Sequence, residues 1–230
     1  MKTRILYSPR TPLILVVAVA SGALTFGIPA FGQDHTASDA LLQRVAALNQ
    51  GLTTYVADVD STETRGGVTD PTRAAVRSRF RVYWASPGRW LATGVDPQGV
   101  KGRKPLQTVD PMQAITKRRM RSVGQIGHGT LRGREVRITT LESARPASGV
   151  VFRATMWIDA AESTVVQVRT FWNYTEIATT TFQYERVAGR FLLPSIVETR
   201  FPRDELTVVN RYAYRDVNAP IPPEIEERMR

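Results

Sequence analysis

Apolar and polar residues alternate with a period of two over most of this chain. In AVRSRFRVYW, Val76, Ser78, Phe80, Val82 and Trp84 fall on one face of a strand and Arg77, Arg79 and Arg81 on the other. The pattern returns in REVRITTL (Val136, Ile138), VVFRATMWI (Phe152, Ala154, Met156, Ile158), TVVQVRTFW (Val166, Val168, Trp172), ATTTFQYER (Phe182, Tyr184), FLLPSIVETRF and ELTVVNRYAY. Each segment predicts a strand with one apolar and one solvated face. The connections are short, AGR at 188–190 and PRDE at 202–205 among them, which suits antiparallel meanders better than parallel crossovers. About ten strands are expected, a number that curls into a barrel or splits into a sandwich.

Helical spacing replaces alternation in a few places. In TASDALLQRVAALNQGLTTY, Leu41, Val45, Leu48 and Leu52 share one helical face, with Ser38 as the expected N-cap and Gly51 as the stop. Tyr55, Ala57 and Val59 then begin the first strand. Between Gly94 and Gly133, prolines and glycines break the rhythm, and DPMQAITKRRM inside that stretch predicts a short helix: Asp110 caps it, Pro111 suits its first position, Gln113 completes a capping box, and Met112 and Ile115 lie on one side. The tail APIPPEIEERMR predicts one or two helical turns.

The first 32 residues carry Lys2, Arg4 and Arg10 ahead of the apolar run LILVVAVASGALTF, with Ala30 and Gly32 as small residues near PAFG. That is the layout of a secretory signal peptide, and the run is shorter than the roughly 20 residues of a membrane-spanning helix. We therefore expect a signal peptide over 1–32 and a single domain over 33–230. With 42% apolar residues, the chain can bury a core. It has no cysteine, so an exported form is held by burial alone, without disulfides. The net charge is +10. Because 1–32 holds three of the 31 basic residues and none of the 21 acidic ones, +7 remains without it. Outside the cytoplasm such a balance favours anionic lipid headgroups over nucleic acid, or is simply a soluble basic surface.

Catalytic chemistry finds little footing. There is no cysteine nucleophile and no G-x-S-x-G elbow, and the two histidines are His35 near the start and His128 in a glycine-rich GHG. DVDSTE lacks the glycine and distal glutamate of a calcium loop, so Asp58, Asp60 and Glu63 read as solvated strand-end charges. GQIGHGTLRG misses the spacing of the phosphate-binding fingerprints. No metal or cofactor is expected. The basic run Lys117, Arg118, Arg119 and Arg121 is either a contact for lipid headgroups or a solvated helix face. An outer-membrane β-barrel also fits the alternation, with the Arg77, Arg79, Arg81 row turned to a lumen, although the N-terminal helix, the 94–133 insertion and the charged tail fit it poorly.

The order of motifs resembles the LolA-like family of periplasmic lipoprotein-sorting proteins. The resemblance runs over most of the chain beyond residue 32. It is carried by the N-terminal helix, by Pro87-Gly88-Arg89-Trp90 after a strand, by the W-x-D turn of Trp157 and Asp159, and by Gly189, Leu193 and Pro194 before the penultimate strand. It implies a mainly β fold with some α: an incomplete antiparallel half-barrel of about ten or eleven strands, an N-terminal helix and a short lid helix over a concave face that holds acyl chains. The implied activity is non-enzymatic binding or transport of lipids or acylated lipoproteins in the periplasm, with an inner- or outer-membrane protein as a further partner. A sensor of the RseB type, binding an anti-sigma factor, is the alternative. Candidate cavity residues are Phe80, Val82, Trp84, Met112, Ile115, Val136, Ile138, Met156 and Phe182. Ser86 stands where LolA-type carriers have the arginine that latches their lid.

Overall fold

All the alternating segments enter one antiparallel sheet. The computed structural model describes residues 36–66, 75–86, 88–94, 120–123, 127–143 and 151–229. Helix α1 (Thr36–Ala47) precedes strands β1 (Thr54–Arg65), β2 (Ala75–Ala85), β3 (Arg89–Gly94), β4 (Met120–Ser122), β5 (Gly127–Leu131), β6 (Arg134–Ser143), β7 (Phe152–Asp159), β8 (Val165–Trp172), β9 (Thr175–Val187), β10 (Phe191–Phe201) and β11 (Leu206–Tyr214), and helix α2 (Pro223–Arg228) follows. The spatial order is β3-β2-β1-β11-β10-β9-β8-β7-β6-β4, with β5 paired to β6 beside β4. Among the described residues β3 does not pair with β4 or β5, so the sheet is an open half-barrel, neither a closed barrel nor a sandwich. The signal-peptide stretch, His35, Pro87 and the expected helix with Met112 and Ile115 lie outside the described residues.

Three bulges interrupt the ladder, at Ser195 in β10, Val166 in β8 and Ile177 in β9. Each adds a residue on one strand and bends it, which helps a sheet this wide to curl. They also reset which side chains face inward. Val166 was expected on the apolar face, but its bulge gives the core to Val165 and Val168 instead.

The opposite, outer face is charged. Arg79 pairs with Asp60 at 2.6 Å and Arg81 with Asp58 at 2.6 Å, and Arg215 reaches Asp58 at 2.5 Å. The hydrogen bond from Arg81 holds the Asp58 carboxyl below the usual carboxylate range, reinforced by the charges of Arg81 and Arg215 and opposed by partial burial. A transmembrane barrel needs its apolar residues outward. Here the main apolar core faces α1 and the ion pairs lie on the opposite face of an open sheet, which corrects the outer-membrane-barrel alternative.

Helix α1 lies against the inner face, burying Leu41 and Val45 in one core with Val59, Val82, Trp84, Leu141 and Met156. It begins two residues before Ser38, which is therefore not a cap: its hydroxyl is buried, 2.6 Å from that of Thr139 and accepting from that of Ser122 at 2.8 Å. Beyond the other end, the Asn49 side chain donates to the Leu192 carbonyl at 2.8 Å and accepts from the Leu192 amide at 2.9 Å, as a strand neighbour would. The helix ends at Ala47, before the expected stop at Gly51, which instead turns the chain toward β1 with φ +85°; a Cβ there would come within 2.9 Å of the Arg190 guanidinium, which itself donates to the Gln50 carbonyl. The Asn218 amide adds a bond to the Gly51 carbonyl. On the outer side, Ile225 and Met229 from the α2 end pack on Ala85.

Asn49 is 1% exposed, so Asn49→Ala strands a buried donor and acceptor of Leu192. A loss of about 2–4 kcal/mol is expected from urea unfolding. Asn49→Asp, which sets a buried carboxylate oxygen against the Leu192 carbonyl, should lose at least as much at neutral pH.

Candidate functional site

Strand register assigns residues to the concave face in rows. Tyr55 lies opposite Trp84, and Trp84 opposite Trp90. Next come Ala57 with Val82, Ala92 and Tyr214, and then Val59 with Phe80 and Tyr212. Aromatic rings fill this end: Tyr55 stacks on Trp84 with centroids 5.3 Å apart, meets Tyr214 edge-on at 5.3 Å, and Tyr214 in turn stacks on Tyr212 at 6.1 Å. On the other wing, Thr139 faces Met156 and Leu141 faces Ala154, and Phe182 sits 6.3 Å from Tyr184. At the far end a second apolar cluster, Ala178, Phe201, Leu206 and Val208, is separate from the main core.

Buried polar residues lie between the two clusters. Ser61 and Asn210 are register partners, and the hydroxyls of Thr180 and Thr199 are 3.1 Å apart. Glu63, on the same face of β1, is buried, contrary to its expected place among solvated strand ends. Asn210 is 1% exposed, and neither its amide nitrogen nor its carbonyl oxygen has a hydrogen-bond partner among the described residues. The Tyr212 hydroxyl is likewise buried without a partner there. The Tyr184 and Tyr214 hydroxyls donate to the carbonyls of Val165 and Pro194. Burial pushes all three phenols well above their ordinary range, so none adds negative charge to this face near neutrality.

Of the expected cavity residues, Phe80, Val82, Trp84, Met156 and Phe182 meet in the main core. Val136 and Ile138 stand on the other face of β6, because Thr139 and Leu141 are the residues turned toward α1 and the core. Val136 is buried there, and Ile138 packs against Gly127 and Gly129 of β5. Lys117, Arg118 and Arg119 lie outside the described residues, and the backbone of Arg121 runs in β4 opposite Glu142. Asn210 was not among the expected residues. Its signal is a single polar residue in the run Leu206, Val208, Asn210, Tyr212, Tyr214.

The solvent side of α1 borders an open depression of about 630 Å³ lined by Ala37, Ala40, Gln43, Arg44 and Ala47 with Arg137 of β6. The concave face itself is lined mainly by apolar side chains, with the unpaired Asn210 and the Tyr212 hydroxyl among them. Among the described residues no three His, Cys, Asp or Glu side chains are grouped to hold a metal ion, and no helix is long and apolar enough to cross a membrane.

No family model matches the sequence, and no curated protein matches it. Solved structures do. A domain described as an outer membrane lipoprotein-sorting protein from Vibrio parahaemolyticus superposes with a TM-score of 0.66 at 10% identity, covering 83% of this chain and 97% of that one. A DUF1329 family protein from Desulfovibrio piger gives 0.65 at 10% identity over 83% and 96%. A LolA superfamily protein from Nitrosomonas europaea gives 0.53 at 8% identity over 81% and 95%. At such identities the likeness is one of fold, and the chain has the open half-barrel fold of LolA-like proteins.

Proposed function

We propose that this chain is a non-enzymatic binder and carrier of acylated ligands, lipids or acylated lipoproteins, working in the periplasm after export directed by residues 1–32. One observation carries the reading: a single curved sheet has a broad apolar inner face on which, among the described residues, only one helix is seated. Its fold likeness to a lipoprotein-sorting domain supports the same assignment.

The mechanism is an exchange of covers. Beyond its C-terminal end α1 is held through Asn49, Gln50 and Gly51, while near its N-terminal end the only side-chain hydrogen bonds described are the hydroxyl contacts of Ser38 with Thr139 and Ser122. Lifting the helix from its N-terminal end exposes first Leu41 and then Val45, at about 1.5–3 kcal/mol each. An acyl chain returns about 0.8 kcal/mol per buried methylene, so about ten methylenes outweigh both residues and the lost hydroxyl bonds. Asn210 and the Tyr212 hydroxyl give the ester or amide of such a ligand a place to bond without any charge.

Native mass spectrometry of the protein isolated from its own envelope should reveal a bound lipid or acylated peptide. A protein partner and no lipid would instead favour the sensor, and an empty protein that ignores acyl probes would overturn the carrier. Ser38→Ala should speed uptake of a fluorescent sixteen-carbon fatty acid by about tenfold while changing global stability by only about 1 kcal/mol. Asn210→Leu removes an unpaired buried amide and should raise unfolding stability by about 1–3 kcal/mol, while weakening acyl esters relative to plain hydrocarbons.

A further inference from the structure

The hairpin between β8 and β9 presents side chains that the fold does not use. Its two central residues, Asn173 and Tyr174, both have positive φ, +48° and +66°. A two-residue turn of this kind favours Asn followed by Gly, and a bulky residue with positive φ is a backbone outlier. The tyrosine is kept there although its ring packs in no core: Tyr174 is 63% exposed, with the Arg153 guanidinium 4.8 Å from its ring centroid. Trp172 beside it is 45% exposed. Asn173 has a structural duty, exchanging two hydrogen bonds with the Val151 backbone, whereas the two rings beside it are exposed.

We infer that this hairpin tip anchors the protein at a lipid bilayer interface, with Trp172 and Tyr174 seated among the headgroups. Three observations support a bilayer over a protein partner. The exposed ring surface is on the order of 250 Å², far below the roughly 800 Å² per side of a stable protein interface, yet ample for an interfacial anchor. Amphipathic Trp and Tyr are the side chains that the headgroup layer accepts. The net charge of +7 that remains without residues 1–32 complements an anionic surface. Position adds to this: Trp172 lies opposite Phe152, one step beyond Thr170 and Ala154 on the inward-facing row, so the tip stands at the margin of the concave face. The anchor does not depend on the carrier reading, because bilayer binding is measured without ligand.

The test is sedimentation of the full chain with vesicles of phosphatidylcholine, with and without phosphatidylglycerol, comparing wild type with Trp172→Ser and Tyr174→Gly. All three share the same leader, so its contribution cancels. Each variant should lose about tenfold in partitioning. Tyr174→Gly should melt no lower than wild type, since glycine suits the turn, which separates anchoring from folding. Vesicles should also shift the tryptophan fluorescence of wild type to the blue, and not that of Trp172→Ser. The inference is overturned if both variants bind within about twofold of wild type, if Tyr174→Gly melts lower, or if vesicles leave the Trp172 fluorescence unmoved. It also fails if wild type is a dimer without vesicles and Tyr174→Gly a monomer, since the tip then meets a second copy.

Discussion

An antiparallel sheet that curls without closing has an apolar inner face too wide for its own strands to seal, and every other feature of this molecule answers to that constraint. The bulges at Val166, Ile177 and Ser195 bend the sheet, and the bend allows one short helix to reach residues from both wings. That helix would drift without a register, because apolar contact is not directional. Asn49 supplies one by occupying the backbone groups of Leu192 as a neighbouring strand would. Its two bonds are made in a nearly water-free place, where leaving Leu192 unpaired costs more than the bonds are worth in isolation.

Much of this architecture can be read from alternation alone, because a strand half in water must place its polar residues at every second position. The reading holds in β1, β2 and β7, where Tyr55, Ala57 and Val59, Phe80, Val82 and Trp84, and Ala154, Met156 and Ile158 all face the core. It fails where backbone geometry shifts the count. A bulge is invisible in composition, so Val166 was exchanged for Val165. In β6 both faces carry apolar residues, Val136 and Ile138 on one and Leu141 on the other, and only the Thr139 contact with Ser38 settles which is inner. Ser38 itself looks like a cap because serine before an apolar run commonly is one. Tertiary contact with two other hydroxyls is the competing use, and it leaves no trace in local sequence.

Side-chain chemistry was less legible than fold for a related reason. Glu63 and Asn210 are polar residues on the inward parity of their strands, and a parity argument that lists only apolar positions passes over them. Alternation predicts that such residues are buried. On the outer face the same logic gives the opposite result: the Arg79 and Arg81 row lies beside Asp60 and Asp58 across β1, so a row of like charges becomes a set of neutralised pairs. Their worth is small where they are exposed, with side chains 72% and 61% accessible in the Arg79–Asp60 pair, and their effect is chiefly to keep this face wet.

The two ends of the half-barrel are built differently. At the β9–β10 turn, Asn49, Gln50 and Gly51 tie the chain to Leu192, Arg190 and Asn218, and aromatic rings fill the space between Trp84 and Tyr212. At the β8–β9 turn, the side-chain bonds described for α1 are hydroxyl contacts, the second apolar cluster lies apart from the main core, and the hairpin carries exposed rings. Register places Ser38's partner Thr139 only two rows in from the Phe152–Trp172 margin. A cover that opens at all opens where it is least bonded, and local unfolding follows the same rule. The looser end of α1 and the aromatic tip thus lie toward one end of the sheet, with the unpaired Asn210 midway along β11, so a hydrocarbon guest entering from that end would displace the least structure.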